Sequence, residues 1–264
     1  PQRDRADSIS INTNTQSAVK ARDLRSNSKQ ILKLKKAYEA KYSNGFFATK
    51  RGEIIPADKD KQYCIELSYL RKNLTAWYMQ RPNLSYGETK IFDKYFNTLF
   101  KNDYLPEDAY ALSFWMRKIM DAWTQENPLG LEEELLTMKA YAPYHLLFAI
   151  SMVFAKCNNQ TNVPSPSECL KVASENNLVD SIINIAANCL NSAISAEKNN
   201  CEQNNRSFIP QNWVKNKSCN AGIMSAIQNY FSFLPTMNKE MDSKLKNGVK
   251  IDSKYFSYRV QAED

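Results

Sequence analysis

"LLFAISMVFA", Leu146 to Ala155, is the most apolar run in the chain, and the choice of fold depends on how it is read. A helix crossing a bilayer needs roughly 20 apolar residues. This run is about half that length and is closed by Lys156, so it reads as a buried helix segment and not as a membrane span. A segment apolar on every side has to be covered by other elements. Other helices of the chain therefore have to cover it.

Composition agrees with a helical body. Of 264 residues, 43% are hydrophobic and 24% charged, the proportions of an ordinary globular protein, which exclude wholesale disorder. A chain of this length can bury a large core without staples. With only 6 Gly and 10 Pro, Gly-rich phosphate loops and serial tight hairpins are poorly supported. Long helices are the natural alternative.

Helical periodicity runs both ways from the central stretch. Upstream, Ile31, Leu34 and Tyr38 recur at helical spacing in "SKQILKLKKAYEAKY", which stops before Ser43-Asn44-Gly45. Tyr63, Leu67, Leu70, Leu74 and Trp77 mark one face of a helix ending near Gln80, because Arg81 precedes Pro82. Ser85 with Glu88 has the form of a capping box for a helix through Phe92, Phe96, Leu99 and Phe100. Pro106, Glu107 and Asp108 suit the first turn of another helix, which carries Leu112, Trp115, Ile119 and Trp123. Residues 131–156 read as a helix pair or as one helix kinked at Pro143.

Downstream, Ser165-Pro166-Ser167-Glu168 is a second capping box, and a helix is expected over about 178–198. The Asn-rich "EKNNCEQNNRSFIP" reads as a surface connection, followed by helices near 219–234 and 236–246. The tail "IDSKYFSYRV" reads as a strand or an extended arm. The expected fold is mainly α: a multi-helix, bundle-like body with a small N-terminal strand and loop element. Its organisation is a basic N-terminal segment, 1–61, and a helical domain, 62–264.

That division follows the charge. The first 61 residues hold 14 Lys and Arg against 7 Asp and Glu, while the remainder carries 21 of each. The whole net charge of +7 therefore sits in the first quarter of the chain. A basic segment on a neutral body suggests a surface facing a polyanion, nucleic acid being the commonest, although a merely solvated basic face has the same composition. Within it, "ISINTNTQSAVKARDLRSN", residues 9–27, opens on the alternating Ile9 and Ile11 of a short strand. It then crowds together Asn14, Gln16, Lys20, Arg22, Asp23 and Arg25 without a Gly or Pro. Such side chains can form a ligand site or an internal polar network; Asp23 would orient the arginines. Further on, Lys50 and Arg51 follow Phe46 and Phe47, a cation beside an aromatic platform. The simpler reading of the same residues is a strand whose aromatics enter the core.

Other chemistry is excluded residue by residue. His145, the sole histidine, lies beside the apolar run, and no Ser sits in a G-x-S-x-G elbow, so hydrolytic triads fail. The six cysteines, 64, 157, 169, 189, 201 and 219, contain no C-x-x-C pair and no zinc-site spacing. They read as reduced and mostly buried. Gly87-Glu88-Thr89-Lys90 has an E-x-K spacing seen in metal-dependent nucleases, but Glu88 is better placed as a helix cap. Glu132, Glu133 and Glu134 point in different directions on a helix and form no metal cluster. No catalytic residue, metal or cofactor is expected.

The order of these elements also resembles a known family. "INTNTQSAVKARDLRSN", "KQILKLKKAYEAKY" and "GFFATKRGEI" are similar to the later part of bacterial AIPR proteins, the abortive-infection phage-resistance family. That family has an N-x-Q-x-x-[VI] segment, a basic-Asp element, a helix and an aromatic piece ending in K-R-G-E. Here these are Asn14, Gln16 and Val19; Arg22 and Asp23; and Lys50, Arg51, Gly52 and Glu53. The likeness covers residues 8–55 and extends towards the helix at Phe92; beyond 105 it is a shared helical character. It implies a bacterial, cytoplasmic protein of phage defence. In the family this part follows an N-G-x-Q-T-like motif and, in some members, a nuclease-like region, so the resemblance implies a fragment of a longer protein.

The expected function is binding of DNA, RNA or a nucleotide through Asn14, Gln16, Lys20, Arg22, Asp23, Arg25, Lys50 and Arg51. The alternative is a helical interaction module that docks a second copy or the upstream domain of the same protein. No membrane partner is expected.

Overall fold

The computed structural model describes residues 25–87, 91, 94–100, 103–124 and 126–261. In chain order its helices are α1 (Lys29–Lys41), α2 (Leu67–Trp77), α3 (Phe96–Leu99), α4 (Pro106–Met120), α5 (Glu133–Leu136), α6 (Ala142–Cys157), α7 (Pro166–Glu175), α8 (Val179–Gln203), α9 (Pro210–Lys215), α10 (Lys217–Met237) and α11 (Lys239–Gly248). Two short ladders accompany them: β1 (Phe46–Ala48) runs parallel to β2 (Cys64–Glu66), and β3 (Val163–Pro164) antiparallel to β4 (Phe256–Ser257). The fold is mainly α, with a small two-strand element near its N-terminal end.

Leu146 to Ala155 lies within α6, where fourteen of sixteen residues are buried. Helices α2, α4, α8 and α10 pack around it. Each fully buried Leu, Ile or Phe of this helix contributes about 1.5–3 kcal/mol relative to exposure. Ser151, the one hydroxyl within the run, donates Oγ to the Phe148 carbonyl at 2.7 Å, so burial leaves it satisfied. Among the described residues no helix is long and apolar enough to cross a membrane.

Several boundaries differ from the sequence reading. Pro143 lies in the first turn of α6, so residues 131–156 are a helix pair in which proline starts the second helix and does not kink a single one. The expected helix from Tyr63 begins only at Leu67, because Lys61–Tyr63 form a three-ten turn and Cys64–Glu66 pair with β1. Helix α8 runs on to Gln203, through residues expected to be a connection. Glu, Lys and Gln sustain a helix there, and Cys201 buries itself at the end. Ser85 donates Oγ to the Lys72 carbonyl at 3.0 Å; its proposed capping partner Glu88 lies outside the described residues. The expected strand at Ile9 and Ile11 also lies outside them. The C-terminal tail makes a three-ten turn at Ser253–Tyr255, continues as β4 and ends in an arm whose Val260 N–H donates to the Tyr78 carbonyl at 2.9 Å.

Helix α1 joins the same core. Ile31, Leu34 and Tyr38 are buried in one cluster with Leu74, Trp77 and Trp115, and the Tyr38 hydroxyl donates to the Tyr63 carbonyl at 2.9 Å. A Cβ on Gly45 would stand 2.6 Å from that same carbonyl oxygen, so the chain can pass from α1 into β1 only with glycine there.

One buried carboxylate ties the body together. Asp108, in the first turn of α4, accepts at Oδ1 from Ser165 Oγ (2.8 Å), Ser167 Oγ (2.7 Å) and Ser167 N (3.1 Å). Its Oδ2 accepts from the Tyr78 hydroxyl at 3.0 Å. The α7 N-cap, the α4 N-terminus and the end of α2 therefore meet on one side chain. Beside it, Trp77 Nε1 donates to the Pro164 carbonyl at 2.7 Å.

Candidate nucleic-acid interface

Of the residues singled out from sequence, Asn14, Gln16, Lys20, Arg22 and Asp23 lie outside the described residues. Arg25, Lys50 and Arg51 are described. Arg25 lies over the Phe96 ring, 4.8 Å from its centroid, and Nη1 donates to Asn97 Oδ1 at 3.4 Å. Lys50 and Arg51 are both exposed.

The K-R-G-E segment has a local reason for its composition. Gly52 takes φ +70°, the left-handed conformation glycine adopts without strain. Glu53 then folds back, and Oε2 accepts from the N–H groups of Thr49 (2.8 Å) and Lys50 (3.0 Å), while Oε1 accepts from Lys35 Nζ (3.0 Å). Burial opposes ionisation of this carboxyl, but the bonds from Lys50, Lys35 and Thr49 outweigh it and hold the pKa below the ordinary value. The turn presents Lys50 and Arg51 to solvent. Phe47 is buried, and the half-buried Phe46 is capped by Lys35 Nζ at 4.8 Å. The aromatics thus serve the core and Lys35, and no open platform stands beside Lys50 and Arg51.

A second basic surface escaped the sequence reading because it is assembled from three distant segments: the turn after α2, the α9–α10 junction and the C-terminal arm. One groove of about 430 Å³ is lined by Gln80, Arg81, Lys217, Asn220 and Arg259, among others. A shallower one of about 430 Å³ is lined by Arg81, Asn83, Asn212, Lys215, Asn216 and Lys217. The two share Arg81 and Lys217, and among the described residues lining them there is no Asp or Glu.

Local structure explains the assembly. Gln80 takes φ 51°, which ends the α2 segment abruptly, and Pro82 opens a three-ten turn carrying Asn83. Asn220 Nδ2 donates to the Gln80 carbonyl (3.4 Å) and to Asn83 Oδ1 (3.3 Å), and Asn83 Nδ2 reaches the Lys215 carbonyl at 3.5 Å. A relay of amides therefore fixes the cations around it. Asn216 caps α10 by accepting from Ser218 N at 3.1 Å, so the positive end of a 21-residue helix lies at the shallower groove. Lys215 Nζ lies 5.6 and 5.3 Å from the ring centroids of Tyr86 and Tyr141, which are 5.1 Å apart. This combines cations, amides and aromatic faces on one surface.

Other chemistry finds no support in the geometry. His145 is fully buried with Nδ1 3.1 Å from the Tyr141 carbonyl, and burial pushes its pKa down to about 4. It is the core histidine that the sequence suggested. All six cysteines are free and five are buried; burial pushes the Cys157 and Cys189 thiols up to about 12, far from a reactive thiolate. Among the described residues no group of three His, Cys, Asp or Glu is placed to hold a metal.

Compared with models of protein families, with curated proteins and with solved structures, the chain matches none.

Proposed function

We propose that this chain binds nucleic acid along the two grooves at the α9–α10 junction, with the Lys50–Arg51 turn as a further contact. One observation carries the reading. Four cations, Arg81, Lys215, Lys217 and Arg259, surround four asparagines, and the described groove lining holds no carboxylate. Cations at such a surface track phosphates, the exposed Asn212 and Asn216 offer amides to base edges, and Tyr86, 40% exposed, offers a face for stacking. The resemblance of residues 8–55 to AIPR proteins supports a setting in bacterial phage defence. Six free thiols fit a reducing, cytoplasmic compartment.

Fluorescence polarisation with single-stranded DNA and RNA across a salt series tests the reading. Affinity should fall steeply with salt, and Lys215→Glu with Arg259→Glu should weaken it by about tenfold or more while lowering the salt slope by about two. Absence of binding at low salt ends the proposal. A second reading, a helical interaction module, is favoured by Phe233 and Met237 on α10, which are 61% and 75% exposed. Sedimentation would then give a dimer or a complex that Phe233→Asp dissociates, and a monomer indifferent to Phe233→Asp removes this second reading.

A further inference from the structure

A cleft larger than either groove lies away from them, where residues 55–66 strap across α2 and α4. It encloses about 630 Å³, within the range of small-molecule sites. Helix α4 lends it Ser113, Met116, Arg117 and Met120, which share one face by their spacing, and α2 lends Tyr69 and Asn73, one turn apart. Ile55, Met116 and Met120 make much of the wall apolar.

One side chain of the wall keeps a buried acceptor unmet, and another has hydrogen-bond donors to spare. Asn73 is only 2% exposed; Nδ2 reaches the Leu112 carbonyl at 3.5 Å, but Oδ1 has no donor. A buried acceptor left in that state costs about 1–3 kcal/mol, and native structures rarely keep one without use. Arg117 donates Nη1 to Ser113 Oγ at 2.7 Å and lies 5.9 Å from the Tyr110 ring centroid. Its partners are a hydroxyl and a ring, which leaves guanidinium N–H groups for an anion. Lys61 adds a second cation, and Glu66 and Asp121 bring carboxylates to the same lining.

We propose that this cleft is a nucleoside monophosphate site. The phosphate meets Arg117 and Lys61, and the base lies against the methionines. The ribose hydroxyls donate to Glu66 or Asp121, as carboxylates hold ribose elsewhere. A free amino acid would match the charges but leave most of the volume empty. An apolar ligand would leave Arg117 unmet. The proposal is independent of the groove reading, because no residue is shared between the cleft and the grooves.

Isothermal titration calorimetry of the full 264-residue chain with AMP, GMP, CMP and UMP, and with adenosine and inorganic phosphate alone, tests it. One or more nucleotides should bind at one per chain, with adenosine and phosphate weaker by about tenfold or more. Arg117→Met should weaken nucleotide binding by about tenfold. Thermal unfolding of each variant comes first. If Arg117→Met fails to fold, Met116→Trp, which fills the cleft, serves in its place. Failure of all four nucleotides at millimolar concentration overturns the site, as does binding undiminished in the cleft variants. Lys215→Glu with Arg259→Glu should leave mononucleotide binding unchanged. Loss of it there, with retention in the cleft variants, would assign the ligand to the grooves and overturn the cleft.

Discussion

Asp108 and Asn73 are almost equally buried, at 5% and 2% exposure, on neighbouring helices, yet their surroundings are opposite. Four donors from the N-terminus of α7 and the turn after α2 converge on Asp108. Asn73 keeps an acceptor that nothing in the described chain fills. Buried polar groups are ordinarily satisfied. A fully satisfied one therefore stabilises the fold, whereas an unmet one, here in the wall of a cleft, is a cost that the fold carries.

That contrast can be broken most forcefully at Asp108. Asp108→Ala strands the donors of Ser165, Ser167 and Tyr78 at once, and urea unfolding should show a loss of about 3 kcal/mol or more. A loss under about 1 kcal/mol would mean that convergence of donors is no measure of structural weight.

His145 extends the comparison to a group kept neutral by burial. Its folded pKa of about 4 lies below the ordinary value of about 6.5, so the unfolded chain takes up a proton that the folded chain refuses. Stability should be full above pH of about 6.5 and decline by about 3 kcal/mol as pH falls to about 4. Melting temperatures over that window check it, and His145→Gln should flatten the slope. A slope unchanged in His145→Gln would assign it to other groups.

Glu53 is an intermediate case, satisfied but near the surface. Glu53→Gln weakens its bonds to Lys35, Thr49 and Lys50 and should cost about 1 kcal/mol, read from chemical denaturation at neutral pH. Because its folded pKa is depressed, this contribution is present above the ordinary carboxylate range and disappears as pH falls below that range through the folded pKa. The smallest effect should come from Asn73→Leu. Without ligand it removes an unmet acceptor and should be neutral or stabilising by up to about 1 kcal/mol; a loss as large as that at Asp108 would show that Asn73 stabilises the fold after all.

The two surfaces differed in how legible they were before folding. Lys50, Arg51, Gly52 and Glu53 are contiguous, and one turn explains them, so the sequence pointed correctly to an exposed basic element there. It left two readings of Phe46 and Phe47 open, platform or core, and the packing of α1 decides for the core, with Phe47 buried and Lys35 over Phe46. Arg81, Lys217 and Arg259 left no comparable trace. Arg81 was informative only as the residue before Pro82, and Arg259 only as part of a tail.

The sequence by itself determined the helical class, the burial of α6, most helix starts and the core placement of His145. Those follow from local chemistry: apolar periodicity, the fixed φ of proline and side-chain caps act within a few residues. Tertiary structure decided where α2 begins, because β1 pairing claims Cys64–Glu66. It also decided that Asp108 gathers its donors, that Asn73 lacks one and that cations from three segments share a groove. Each of these depends on residues brought together across tens of positions, and the packing of whole helices, not any local preference, sets which of them meet.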